Sequence, residues 1–135
     1  MSKNENKKQY DLEERTAKFG EEIIDWIKIL PKDDITKRLI PQLVACATAV
    51  GANYCEADCA ESNKDFIHKM SIANKEAKES KHFIRMLSKV FPEQIQNGRK
   101  LWKEAHELNL IFTTIVKKAR ITEENNKINN DEKNR

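Results

Sequence analysis

Only three prolines and three glycines interrupt the 135 residues of this chain, and Pro31 and Pro92 each fall where a run of helical period ends. Proline cannot donate a backbone N–H inside a helix and clashes with the turn before it, so helices stop ahead of it. A chain with so few breakers, rich in Lys, Glu, Ala, Ile and Leu, is confined to long helices. Four such segments are expected. The first runs from about 11 to 30, with Leu12, Thr16, Phe19, Ile23, Trp26 and Leu30 on one stripe. The second runs from about 34 to 57, with Leu39, Leu43, Cys46, Val50 and Tyr54 inward and Pro41 as a kink or a true start. The third, 62 to 91, has Ser62 and Asp65 as a capping pattern and an unbroken Phe66, Met70, Ala73, Ala77, Ser80, Ile84, Leu87 repeat. The fourth, about 93 to 120, carries Leu101, Ala105, Leu108, Phe112, Ile115 and Ala119.

Four amphipathic helices joined by short connections predict an all-α, up-down-up-down four-helix bundle over residues 10–121. The polar, aperiodic ends, 1–9 and 122–135, are expected to be disordered tails. No apolar run approaches the ~20 residues that span a bilayer, and no apolar segment follows MSKNENKKQ, so neither a membrane partner nor a secretory signal is expected. The default location is the cytoplasm, where Cys46, Cys55 and Cys59 stay reduced.

One stretch departs from this polar background. Cys46 to Tyr54 is nine residues without a charge, most of them small. Ala47, Ala49, Gly51 and Ala52 let two helix backbones approach closely, either inside the bundle or between subunits. A glycine in mid-helix costs ~1 kcal/mol relative to alanine, so a packing reason is expected for it. Asn53, Glu56, Glu76 and Glu79 are polar groups next to this surface and to a half-apolar flank of Ile72, Phe83, Met86 and Val90. With Gly51 and Ala52 they are the residues expected to serve oligomer or helix packing, and the carboxylates are expected to bond to Asn53, Lys64 or Arg38.

The segments QLVACATAVGANYCEA and SNKDFIHKMSIANKEAKES, with YDLEERTAKFGEEI and the LPK turn ahead of them, resemble the four-helix-bundle family encoded in intervening sequences of bacterial 23S ribosomal RNA genes. The resemblance covers about Tyr10 to Ala119. It implies a homopentamer of four-helix protomers. It also points towards nucleic acid, because relatives linked to diversity-generating retroelements bind nucleic acid and a reverse transcriptase. Family members often carry Arg-Ser where this chain has Ala45-Cys46, which removes one phosphate contact here.

Catalytic and metal chemistry find little support. Glu79 and His82 make one Glu-x-x-His motif, but a di-iron bundle needs two such motifs and two further glutamates. Cys55 and Cys59 at i and i+4 match no zinc spacing. No cofactor, metal or small-molecule substrate is expected. The feature that stands out is the outer face of the third helix. Lys64, His68, Ser71, Lys75, Lys78, His82, Arg85 and Lys89 step by four and three with no acid in the stripe, although five acids lie within 58–91. Lys64, Lys75, Lys78, Arg85 and Lys89 are thus the candidate contacts to a phosphate backbone. No aromatic residue interleaves them, so base stacking is not expected. The sequence therefore predicts a non-enzymatic, self-associating bundle that binds RNA or DNA backbone through this face. The alternative is a protein-interaction scaffold without a nucleic-acid role.

Overall fold

A computed structural model describes the backbone of residues 2–135 and the side chains of residues 12–135. Four helices follow one another, α1 (Ser2–Ile29), α2 (Thr36–Asp58), α3 (Asn63–Val90) and α4 (Ile95–Lys133), with a 3-10 turn (Pro92–Gln94) ahead of α4 and no strand among the described residues. Each helix packs against its neighbours in sequence and α1 closes against α4. That is the up-down-up-down arrangement short connections require.

The connections are local hydrogen-bond devices. Ahead of α2, Asp33 Oδ1 accepts from the backbone N–H of Ile35 and Thr36 at 2.8 and 2.9 Å, and Thr36 Oγ1 accepts from Asp33 N at 2.8 Å. The two residues thereby cap each other, satisfying N–H groups that a helix start leaves without partners. At α3, Ser62 Oγ accepts from Asp65 N at 3.1 Å, the cap its sequence signals. Pro41 lies inside α2 and not at its start, so α2 carries it as an interior proline. Pro92 opens the 3-10 turn, which holds α4 back to Ile95 where the sequence pattern suggests Glu93.

The core is built from the stripes. Phe19, Ile23, Leu43, Val50, Met70, Ala77, Ile84, Leu108 and Phe112 are all buried. Tyr54 and Phe66 sit half-buried at one end, where the Tyr54 ring stacks on Phe112 with centroids 6.5 Å apart. Polar contacts join the helices along their seams. Between α1 and α4, Arg15 Nε donates to Glu104 Oε1 at 3.1 Å and its Nη2 to Glu107 Oε2 at 2.7 Å, while Trp26 Nε1 donates to Gln94 Oε1 at 3.2 Å. Between α3 and α4, buried Asn109 donates through Nδ2 to the Asn74 carbonyl and to Asn74 Oδ1, and its own Oδ1 accepts from Lys81 Nζ at 3.1 Å. A buried amide costs free energy unless bonded, and here both of its ends are.

The ends differ from the sequence expectation. The segment expected as a disordered tail at 122–135 is helical as far as Lys133. It contains no Pro or Gly, and α3 fastens its base, since Asn63 Nδ2 donates to the Ala119 carbonyl at 3.0 Å and to Glu123 Oε2 at 2.9 Å. Beyond Glu123 every residue is exposed. At the other end, the backbone of the expected 1–9 tail is helical from Ser2; Met1 and the side chains of residues 2–11 lie outside the described residues.

The smooth stretch of α2 has its main use inside the protomer. Ala47 and Val50 are fully buried, and a side chain built on Gly51 would place its Cβ 3.3 Å from Thr16 Oγ1 and 3.5 Å from the Thr16 carbonyl carbon of α1. The approach to the hydroxyl is already tight for a methyl and the backbone carbon is at contact distance, so a side chain longer than a methyl is crowded there. Gly51→Leu is therefore expected to lower stability by about 1–3 kcal/mol, the range for overpacking a close contact, read as a lower midpoint in urea by circular dichroism. A second expectation follows from the α2 cap. The N–H of Thr36, with that of Ile35, holds the Asp33 carboxyl below the ordinary aspartate range. A depressed acid contributes stability above its unfolded pKa of ~3.9 and loses it as pH falls through the folded value. Asp33→Ala should accordingly lower Tm at neutral pH, and the gap from wild type should narrow under acid conditions.

Candidate nucleic-acid interface

The basic stripe of α3 faces outward along its whole length. Lys64, His68, Lys75, Lys78, His82, Arg85 and Lys89 are exposed or half-exposed and Ser71 is half-buried. At 1.5 Å per residue, Lys64 to Lys89 spans about 38 Å. The stripe lies on the side of α3 away from Met70, Ala73, Ala77, Ile84 and Leu87, which are buried, because the 3.6-residue period places the two sets on opposite faces. Lys75 Nζ lies 3.8 Å from Glu79 Oε1, which partly offsets its charge. Lys64, Lys78, Arg85 and Lys89 form no ion pair among the described residues.

The residues expected at a packing surface do not form one cluster. Gly51 meets Thr16 of α1, whereas Ala52 beside it is exposed. Asn53 Nδ2 donates to the Ala49 carbonyl of its own helix at 2.9 Å. Glu56 accepts from Lys69 at 2.8 Å. Burial, followed by the charge of Glu79, pushes the Glu76 carboxyl above the usual range. Neither Glu76 nor Glu79 bonds to Asn53, Lys64 or Arg38 among the described residues; Glu79 faces Lys75 of its own helix instead. Buried Cys46 accepts from Ser80 Oγ at 3.4 Å, and desolvation raises its thiol pKa, while Cys55 and Cys59 are exposed. Among the described residues no group of three His, Cys, Asp or Glu side chains is placed to hold a metal ion.

Where α3 ends, the stripe meets a groove whose other wall is α4. This groove encloses about 500 Å³ between Arg85 and Lys89 of α3 and Arg99 and Trp102 of α4. Trp102 is 39% exposed. His106 stacks on its ring at 5.0 Å between centroids, and Lys81 Nζ lies 5.4 Å from the ring centroid. Burial, with a smaller contribution from Lys78, lowers the pKa of the Lys81 ammonium, which sits 3.2 Å from His106 Nδ1. The sequence pattern does not single out Arg99 or Trp102. The available signal is a tryptophan one place off the Leu101, Ala105, Leu108 stripe, where a large ring has no claim on the core.

The family model for the 23S rRNA-intervening sequence protein matches residues 8–114. The chain belongs to that family. A crystal structure of a family relative supports the fold independently. It is a protein of unknown function from the S23 ribosomal protein family of Bacteroides thetaiotaomicron, 26% identical, covering 78% of this chain and 98% of its own, with a TM-score of 0.72. No curated protein matches the chain. The family match ends at 114, so the projecting part of α4 lies outside it. Among the described residues no helix is long and apolar enough to cross a membrane.

Proposed function

We propose that this protein is a non-catalytic, homo-oligomeric bundle that binds the backbone of RNA or DNA through the outer face of α3, in the cytoplasm. The observation that carries the reading is a row of outward-facing cations, Lys64, Lys78, Arg85 and Lys89, with no carboxylate paired to them among the described residues. Uncompensated charge of one sign along a rigid element attracts a polyanion and gives weak sequence preference, since phosphates carry no base identity. The family's name, with its reference to 23S rRNA, points the same way. A non-catalytic role accords with the polar side chains at the seams, whose hydrogen bonds are to structural partners such as Arg15 with Glu104 and Asn109 with Asn74. Self-association, as a pentamer by family resemblance, accords with the flank of Ile72, Phe83, Met86 and Val90, which the protomer leaves only partly covered, and with the raised pKa of Glu76 beside it.

Two measurements test the reading. Changing Lys75, Lys78, Arg85 and Lys89 together to Glu should weaken RNA and DNA alike in fluorescence anisotropy. It should also flatten the log-affinity against log-salt slope by about one unit for each phosphate no longer neutralised. The fold should persist in circular dichroism, because exposed charges contribute only ~0–1 kcal/mol each. Equal binding by the variant would make the face a solvated surface and favour the protein-interaction scaffold. For assembly, light scattering of the unmutated chain should give a multiple of 15.7 kDa. Ala52→Leu, at an exposed position, should lower that mass while the helices remain folded; a native mass of one chain overturns the oligomer.

A further inference from the structure

We propose that the groove between the end of α3 and the start of α4 is a nucleotide pocket, in which one unpaired base of an RNA strand lies against Trp102 while Arg85, Lys89 and Arg99 hold the flanking phosphates. The proposal rests on the backbone-binding reading of α3 and adds what that face alone lacks, a surface for the base.

Three observations converge on this occupant. The first is charge. Arg85, Lys89 and Arg99 come from two helices into one groove, no carboxylate lines it, and none of the three makes an ion pair among the described residues. Such a set gains most from a ligand that brings its own anions. The second is the aromatic wall. Trp102 lines the groove at 39% exposure, and the stacked His106 ring steadies it, so an aromatic ring stands in the wall already held in place. Every base has a π-face, which is why exposed aromatic side chains serve as platforms for unpaired strands.

The third observation is the shape of the floor. Gly98 of α4 sits over Ser88 of α3, and a Cβ at 98 would collide with Ser88 Oγ. The Ser88 hydroxyl is turned back to donate to the Ile84 carbonyl at 2.8 Å. The helices therefore approach closely, and Ile84, Pro92 and Ile95 line the groove around that contact. At about 500 Å³ the groove is within the ordinary size range of small-ligand sites. The carboxylates of an acidic peptide would use the cations but not the apolar lining. A paired strand would use the phosphate contacts, but its bases are already stacked inside the duplex. An unpaired nucleotide uses both. Arg85 and Lys89 also belong to the α3 stripe, so a strand followed along α3 arrives at the groove.

The test uses the full chain with a fluorescein-labelled single-stranded RNA and a duplex RNA of the same length, at low salt. Trp102→Ala should weaken the single strand about 5- to 150-fold, the range for one base losing its aromatic platform, and leave the duplex within about two-fold. Trp102→Phe should restore most of the loss, and Arg99→Glu should weaken both probes. In a Trp26→Phe background, where Trp102 is the remaining tryptophan, unlabelled single-stranded RNA should quench its emission and duplex should not. That readout holds even if Trp102→Ala fails to fold. Wild-type binding to both probes with no effect of Trp102→Ala and no quenching overturns the pocket and leaves the α3 face standing. Absence of wild-type binding to either probe overturns both. A change of native mass in Trp102→Ala, seen by light scattering, would show that a second copy occupies the groove and would also overturn the pocket.

Discussion

The closeness of α3 and α4 at Ser88 and Gly98 is the constraint on which the molecule's most distinctive surface depends. No side chain can be added at 98 without displacing the Ser88 hydroxyl. With that gap closed, the residues next to it and one turn away, Arg85 and Lys89 on one side and Arg99 and Trp102 on the other, become facing walls. Further along the same seam, Asn109 fixes the register of the two helices through Asn74 and Lys81. A bonded amide inside an apolar interface tolerates one alignment and penalises slippage, since a shift would leave buried donors unmatched. Glycine contact and amide contact together decide which α3 side chains stand opposite which α4 side chains.

The distribution of acids follows from the same architecture. Glu104 and Glu107 hold Arg15 across the α1–α4 seam, and Glu56 holds Lys69 across the α2–α3 seam. These carboxylates close the bundle, so they do not neutralise the outer side of α3. A net charge of only +3 thereby coexists with a locally uncompensated basic surface. Total charge says little about such a protein; the assignment of each acid to a seam or to open surface says much more.

Much of the fold is legible in the sequence because it depends on one period. The Phe66 to Leu87 repeat marks both the buried and the outer face of α3, and the Ser62–Asp65 cap and Pro92 mark its ends; all of this is local. The meeting of Arg85 with Trp102 is not legible, since it depends on the register between two helices, which Gly98 and Asn109 set at long range. The α3 stripe itself holds no aromatic residue, and the ring that faces it stands on the neighbouring helix. The smooth stretch of α2 is ambiguous for a related reason. Small residues announce a close neighbour without naming it, and the structure supplies Thr16 of α1 as the neighbour of Gly51. The length of α4 escapes a reading that takes polar composition as a sign of disorder, because a polar helix can continue from one already formed.

The end of α4 depends on the bundle for its start. A free peptide of the sequence from 124 onward would have to form its first turn unaided, and that nucleation step is unfavourable by a factor of roughly a thousand. Attached to the bundle, the segment inherits a finished turn, locked by Asn63 onto Ala119 and Glu123. It needs only to propagate, adding one hydrogen bond for each residue fixed. The four-helix core thus acts as a template for a helical arm that projects beyond it, and the arm's persistence reports on whether that clamp at its root is closed.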